Sequence, residues 1–368
     1  MKIDRIELYR VGMPLVYPFR TAFGNDAVIE SVLVKLCGPD GFGWGEAAPW
    51  RDPAYSAEWA QGLFLLIAQR LGPMVVGRNF DHAKDIQLAM SPVKDNRFAK
   101  AAIDLAWWDL FSRSQNQPLW KTIGGGPVAK VGADFGVMEN IDALLSEIDK
   151  AQSAGFERIK LKYRPGWELE MISAVRRAFP KMVFHVDCNS AYTLADLPML
   201  RKLDEFDLAM IEQPLSHDDL IDHAKLAREM STPICLDESI TTPDKARKAI
   251  EIGACRWINI KHGRVGGLTN ALEIHNIARD AGIGCWVGSM CESAVGHSFG
   301  LALASLPNMR YPADIFPTDR FYRRDLADKK LHLSAPSQIR SFDGSGIGVI
   351  PDEHMLKQCT LEMAVISG

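Results

Sequence analysis

Between residues 158 and 261 the chain alternates short apolar runs of β character with longer segments in which apolar residues recur at helical spacing. The β-type runs are 158–163, 182–187, 208–212, 233–237 and 257–261. Each carries a charged residue at its C-terminal end: Lys162, Asp187, Glu212, Asp237 and Lys261, at intervals of 25, 25, 25 and 24 residues. A strand-helix unit repeated at this period predicts parallel strands joined by helical crossovers. The same pattern extends both ways, with a strand at 131–137 and its helix at 140–154, then a helix at 266–281, a strand at 284–289, a helix at 294–305 and a short eighth element at 309–314. Gly155 and Gly253 stand where helices should stop. The prediction is an α/β fold, a modified TIM barrel of (β/α)7β type, and in such barrels the reactive residues gather at the C-terminal strand ends.

Residues 1–125 lack this period. Alternating runs at 3–11 and 29–36 read as strands, Asp40-Gly41 as a turn, and 41–46 as a continuing meander; helical spacing follows at 56–69, 80–90 and 97–114, the last ending before Gln117-Pro118. This describes an N-terminal α+β capping domain at 1–125, bounded by the turn cluster Gly124-Gly-Gly-Pro127. The barrel then occupies 126–322, and 323–368 is expected to return to the cap.

Composition narrows the chemistry. The 368 residues are 47% hydrophobic and 24% charged, with net charge -4 and pI near 6.2, which supports neither nucleic-acid binding nor a basic membrane contact. A small-molecule substrate is expected, with homo-oligomerisation left open. Seven scattered cysteines without CxxC spacing, and a charged N-terminal strand in place of an apolar leader, suggest a reducing, cytoplasmic setting.

The strand-end residues would bring three carboxylates between two ammonium groups. Three such carboxylates cannot all stay ionised without a cation, and hard oxygen donors suit Mg²⁺, with Mn²⁺ able to substitute. The lysines would serve as general bases, their pKa lowered by burial and neighbouring positive charge. A metal site on a non-catalytic barrel would be expected to lack one base, and neither is missing. A zinc hydrolase would be expected to show an early His-x-His, and there is none. His185, two residues before Asp187, reads as a core or supporting histidine, and Asp237 is preferred over its neighbour Glu238 by the interval.

The ordered Lys-x-Lys, Asp, Glu, Asp, Lys set resembles the enolase superfamily, and within it the muconate lactonizing enzyme subgroup. Pro18-Phe-Arg-Thr21, Gly43-Trp-Gly-Glu46, Asp104-Leu-Ala-Trp107 followed by Trp108-Asp109, the run from Asn259 to Gly267, the run from Leu301 to Pro307, and Asp319-Arg-Phe-Tyr322 are most similar to the o-succinylbenzoate synthase / N-succinylamino acid racemase family. The resemblance implies Asp187, Glu212 and Asp237 as Mg²⁺ ligands, Lys162 and Lys261 as the acid/base pair, and Lys160 and Asn189 as their companions at the mouth. It further implies that Phe19, Phe23 and Tyr55 close over substrate from the cap and that Ser289 and Met290 touch it. The implied reaction is Mg-dependent removal of a proton α to a carboxylate to give an enediolate, first in a dehydrating o-succinylbenzoate synthase of menaquinone biosynthesis, next in an N-succinylamino acid racemase, and last in another cycloisomerase or epimerase of the subgroup. Cys188 and His262 depart from the family's usual residues and are expected to point away from the barrel interior. Asp314-Ile315-Phe316 departs from the Asp-x-Asp of dipeptide epimerases, which argues against dipeptide substrates.

Overall fold

The computed structural model describes residues 1–20, 25–136, 138, 140–163, 165–166 and 168–368. The early alternation becomes β1 (Arg5–Arg20), β2 (Asn25–Gly38) and β3 (Gly41–Ala47), paired antiparallel and turned at Gly41, whose φ of 113° suits glycine alone. The β1–β2 register runs from Arg5 opposite Cys37 to Pro14 opposite Val28 and resumes only at Phe19. Pro14 and Pro18 flank this gap, and neither can donate a ladder hydrogen bond. β1 is therefore longer than its apolar run at 3–11 suggests.

The helix Arg97–Ser114 has the same bounds as its sequence pattern and packs on β3. Glycine makes that approach possible: a Cβ at Gly43 would lie 2.2 Å from the Ala106 carbonyl oxygen, and one at Gly45 2.2 Å from that of Ala102. The expected helix at 56–69 instead begins at Ala60, because Glu58 is used elsewhere. Its carboxylate accepts from the backbone N–H groups of Phe98 (3.1 Å) and Ala99 (3.2 Å), capping the neighbouring helix.

β4 (Val128–Lys130) leads into the barrel strands β5 (Ala133–Phe135), β6 (Arg158–Lys162), β7 (Val183–Asp187), β8 (Ile211–Glu212), β9 (Ile234–Leu236), β10 (Trp257–Ile260) and β11 (Gly284–Val287). They form one parallel sheet in chain order. Residues 309–314 close it: Met309 bridges Cys285 on one side and Ala313 bridges Val131 on the other. The Asp314 amide donates to the Val287 carbonyl and that of Gly132 to Ala313, both at 2.9 Å. Met210, Cys235, Trp286 and Tyr311 fill the barrel interior.

β12 (Leu333–Ala335) and β13 (Gln338–Arg340) form a small sheet with β4, and β14 (Thr360–Ser367) pairs antiparallel with β1. Both chain ends thus lie in the cap sheet. All seven cysteines are free, and among the described residues no helix is long and apolar enough to cross a membrane.

Candidate active site

Alternation along β6 puts Arg158, Lys160 and Lys162 on one face, and all three turn into the barrel. Parallel register sets Lys162 beside Asp187 and Asp187 beside Glu212. Asp237 follows β9 and Lys261 follows β10, four strands around from β6 and so on the opposite wall. The five residues of the 25-residue period therefore share one end of the barrel.

Their closest contacts are mostly ion pairs, supplemented by hydrogen bonds to neutral side chains. Lys160 Nζ lies 3.0 Å from Asp187, 2.9 Å from Glu212 and 3.2 Å from Asp314. Lys162 Nζ donates to Asp187 Oδ2 at 2.7 Å and to Asn189 Oδ1 at 2.9 Å. Glu212 is further met by Asn259 Nδ2 at 2.7 Å and by His185 Nε2 at 3.2 Å, while the other nitrogen of His185 faces the Tyr311 hydroxyl at 3.1 Å. Asp237 pairs with Lys261 at 2.9 Å and with Arg264. From the cap, the Tyr55 hydroxyl accepts from Lys261 Nζ and Arg264 Nη1, each at 3.1 Å.

Electrostatics follow from these partners. Burial penalises the ionised form of Asp187, yet the ammonium groups of Lys160 and Lys162 hold its carboxyl far below the ordinary range. Asp237 is likewise lowered, burial being outweighed by Arg264 and Lys261. Both lysines are expected from sequence to have depressed pKa values. Burial does press Lys162 down and Lys160 helps, but Asp187 outweighs both and the net shift is upward. Lys261 is raised in the same way, Asp237 overcoming burial.

A hard divalent cation takes oxygen donors, and the site offers several. Among the described residues no three of the His, Cys, Asp and Glu side chains form a ready-made cage, since lysine and arginine nitrogens share their oxygens. The chemistry of the donors nevertheless fits: three carboxylates stand on successive strand ends, and a fourth, Glu238, keeps Oε2 buried without any partner. Burial, then the charges of Asp237 and Asp187, push Glu238 up to about 8, the sign of surplus negative charge that a cation would relieve.

A cavity of about 630 Å³ opens above this end of the barrel. Lys160, Lys162, Asn189, Lys261, Ser289, Met290 and Tyr55 are in its wall, so the structure gathers these predicted residues at one space; Asp187, Glu212 and Asp237 lie behind the lysines. Phe23 lies outside the described residues, as does the side chain of Phe19. Cys188 and His262 are buried and do not line the cavity. The backbone after Glu212 is strained, with Gln213 at φ 40°, and its side chain fixes the next strand end by accepting from the amides of Asp237 (3.0 Å) and Ser239 (3.1 Å).

Several residues of the site escaped the sequence reading. Asn259 sits two residues before Lys261 on the same strand face, and Arg158 two before Lys160, so alternation carried to the preceding inward position would have found both. Arg264 lies in the turn after Lys261 and Asp314 in a segment without strand period, where no spacing rule applies. Asp314 pairs with Arg158 at 2.7 Å beneath Lys160.

Residues 143–355 match the enolase C-terminal domain-like family, and residues 5–124 the N-terminal domain of the mandelate racemase / muconate lactonizing enzyme family. The chain belongs to the enolase superfamily. It is 40% identical to an N-succinylamino acid racemase of Thermus thermophilus over 95% of both chains, and 38% identical to an o-succinylbenzoate synthase of Geobacillus kaustophilus over 98% of this chain and 96% of that one. A solved enolase-superfamily member from Listeria innocua superposes with a TM-score of 0.96 at 34% identity, covering 100% of this chain and 99% of the other. This enzyme therefore falls in the o-succinylbenzoate synthase / N-succinylamino acid racemase family, whose superfamily typically depends on a metal.

Proposed function

We propose that this enzyme removes a proton α to a substrate carboxylate, with dehydration to o-succinylbenzoate as its reaction. The observation that carries the reading is the placement of Lys162 and Lys261 on opposite barrel walls, facing one cavity, with three carboxylates on the strand ends between them. Asp187, Glu212 and Asp237 would hold Mg²⁺, or Mn²⁺ in its stead. Bound there, the dication would offset their negative charge and stabilise the charge that develops on the substrate carboxylate as the proton leaves.

Lys162 Nζ takes the α-proton on its face of the substrate. Lys160, tied to three carboxylates, stays charged beside it and favours the neutral form of Lys162. Lys261 presents its ammonium to the opposite face. In a syn dehydration Lys162 serves both proton transfers and Lys261 stabilises the anion. The same facing pair supports racemisation of N-succinylamino acids as the second reading, since that reaction needs a base on each face.

The test is proton NMR in deuterated buffer with the hydrated precursor of o-succinylbenzoate and with each enantiomer of N-succinylphenylglycine. Wild type with Mg²⁺ should turn over the first and exchange the α-proton of both enantiomers, and chelation should abolish both. Lys162→Ala should remove all activity. Lys261→Arg keeps the charge but cannot act as a base, so it should stop racemisation while leaving measurable dehydration. Full turnover after exhaustive metal removal would sink the assignment of the carboxylates.

A further inference from the structure

Inside the barrel, beneath the strand ends, a tyrosine and a histidine stand in line behind one carboxylate. His185 is on β7, fully buried, and beside Lys160 in the parallel register. Its Nε2 lies 3.2 Å from Glu212 Oε2, and its Nδ1 lies 3.1 Å from the hydroxyl of Tyr311, in the segment that closes the barrel. The ring is held by edge contacts with Trp286 and Tyr311, their centroids 5.3 and 5.4 Å away. Neither His185 nor Tyr311 is in the cavity wall, so any effect of the pair on the reaction passes through Glu212.

An ionised carboxylate only accepts hydrogen bonds, so the nitrogen facing Glu212 must carry a proton whatever the charge of the ring. In the neutral ring Nδ1 is then an acceptor, and the Tyr311 hydroxyl donates to it. Glu212 thereby has one neutral donor on each oxygen: His185 on Oε2, and Asn259 Nδ2 on Oε1 at 2.7 Å. Lys160 Nζ, 2.9 Å from Oε2, pulls on one oxygen alone. Donors on both oxygens oppose rotation of the carboxylate plane, which a single ammonium does not. We infer that His185, fixed in its Nε2–H form by Tyr311, is a positioning residue that sets the affinity of Glu212 for a divalent cation. The inference rests on the proposed function, in which Glu212 is one of three metal ligands.

The test titrates the full chain, freed of metal, with Mn²⁺ and reads unbound Mn²⁺ by its paramagnetic resonance signal. His185→Leu should weaken Mn²⁺ binding about 10–100-fold, the usual cost of losing a partner behind a metal ligand. His185→Gln, whose amide has a donor for Glu212 and an acceptor for Tyr311, should stay within about threefold of wild type. Tyr311→Phe removes the hydroxyl alone and should weaken binding about 2–10-fold, the worth of one hydrogen bond. Nitrogen NMR of histidine-labelled protein reads the tautomer: the ring signals lost in His185→Gln should show Nε2 protonated and Nδ1 bare. A bare Nε2 would overturn the inference. So would unchanged Mn²⁺ affinity in Tyr311→Phe, which decides the matter even if His185→Leu does not fold. Equal weakening in His185→Leu and His185→Gln, in step with their urea midpoints, would mark His185 as packing alone and overturn it too. Wild type that binds no divalent cation would instead overturn the metal reading of the proposed function, and this inference with it.

Discussion

At the level of single residues, the site is a set of charges whose partners decide what each can do. Tyr55 shows how the cap enters that set. Its hydroxyl accepts from Lys261 and Arg264, and stands 3.5 Å from Asp237. Tyr55→Phe deletes that acceptor for two buried cations, and hydrogen bonds to charged groups are worth about 1.5–3 kcal/mol. Exchange at the face served by Lys261 should fall by about tenfold or more, while exchange at the Lys162 face stays within about twofold. Following deuterium into each enantiomer of N-succinylphenylglycine gives both numbers, and an equal fall at both faces would contradict a role confined to Lys261. The carboxylates and both lysines were legible in the sequence because a repeated strand-helix unit returns each strand end to the same place after 24 or 25 residues. Arg264 and Asp314 were not, because they stand in turns and closures that the period does not govern. Nor does the period carry the sign of the lysine pKa shifts: alternation says which way a side chain points, but not that Asp187 and Asp237 lie within 3 Å of the two ammonium groups.

Among elements, legibility tracked how much of the apolar pattern a segment spends on one neighbour. The helix Arg97–Ser114 buries most of its surface and was recovered with its bounds. The segment 56–69 was not, since Glu58 serves as a cap for that other helix and its own helix starts two residues later. One of the tight contacts in the cap is between β3 and the helix Arg97–Ser114, where Gly45 leaves no room for a methyl group: the added Cβ would lie 2.2 Å from Ala102 O and 2.6 Å from Ala106 N. Both neighbours are helix backbone and cannot rotate away. Gly45→Ala should therefore destabilise the protein by about 1–3 kcal/mol, the usual cost of overpacking a dense core. Urea midpoints would show it, and an unchanged midpoint would mean that the helix can lift from the sheet at no cost.

For the whole molecule, the question is what fixes the cap to the barrel. Asp104 accepts from the Thr269 amide at 3.1 Å, Trp50 Nε1 donates to the Met290 carbonyl at 3.1 Å, and Glu46 makes the most contacts. Fully buried on β3, Glu46 accepts from Ser31 Oγ at 2.9 Å within the cap, and from Ser293 and the Gly296 amide at the start of the barrel helix Ala294–Ala304. Burial pushes its carboxyl up to about 7 from 4.5, against the hydrogen bonds of Ser293 and with the added push of Glu292. The folded state therefore holds this proton more tightly than the unfolded chain. Its contribution to stability is fully present below pH about 4.5, is lost as pH rises, and levels off above pH about 7; the whole loss is at most roughly 3 kcal/mol. Asp187, Asp237 and Asp314, with lowered values, act in the opposite direction at lower pH, where protonation costs stability. Asp104, raised to about 6 by burial, acts in the same direction as Glu46, so wild type alone cannot assign the effect. Glu46→Gln can. The variant should be less stable at pH 5, having lost an acceptor facing backbone N–H groups, yet its urea midpoint should fall less than that of wild type between pH 5 and pH 8. If the two proteins instead lose stability in parallel over that interval, Glu46 is ionised throughout, and the joint between cap and barrel is a fixed negative charge on a helix N-terminus.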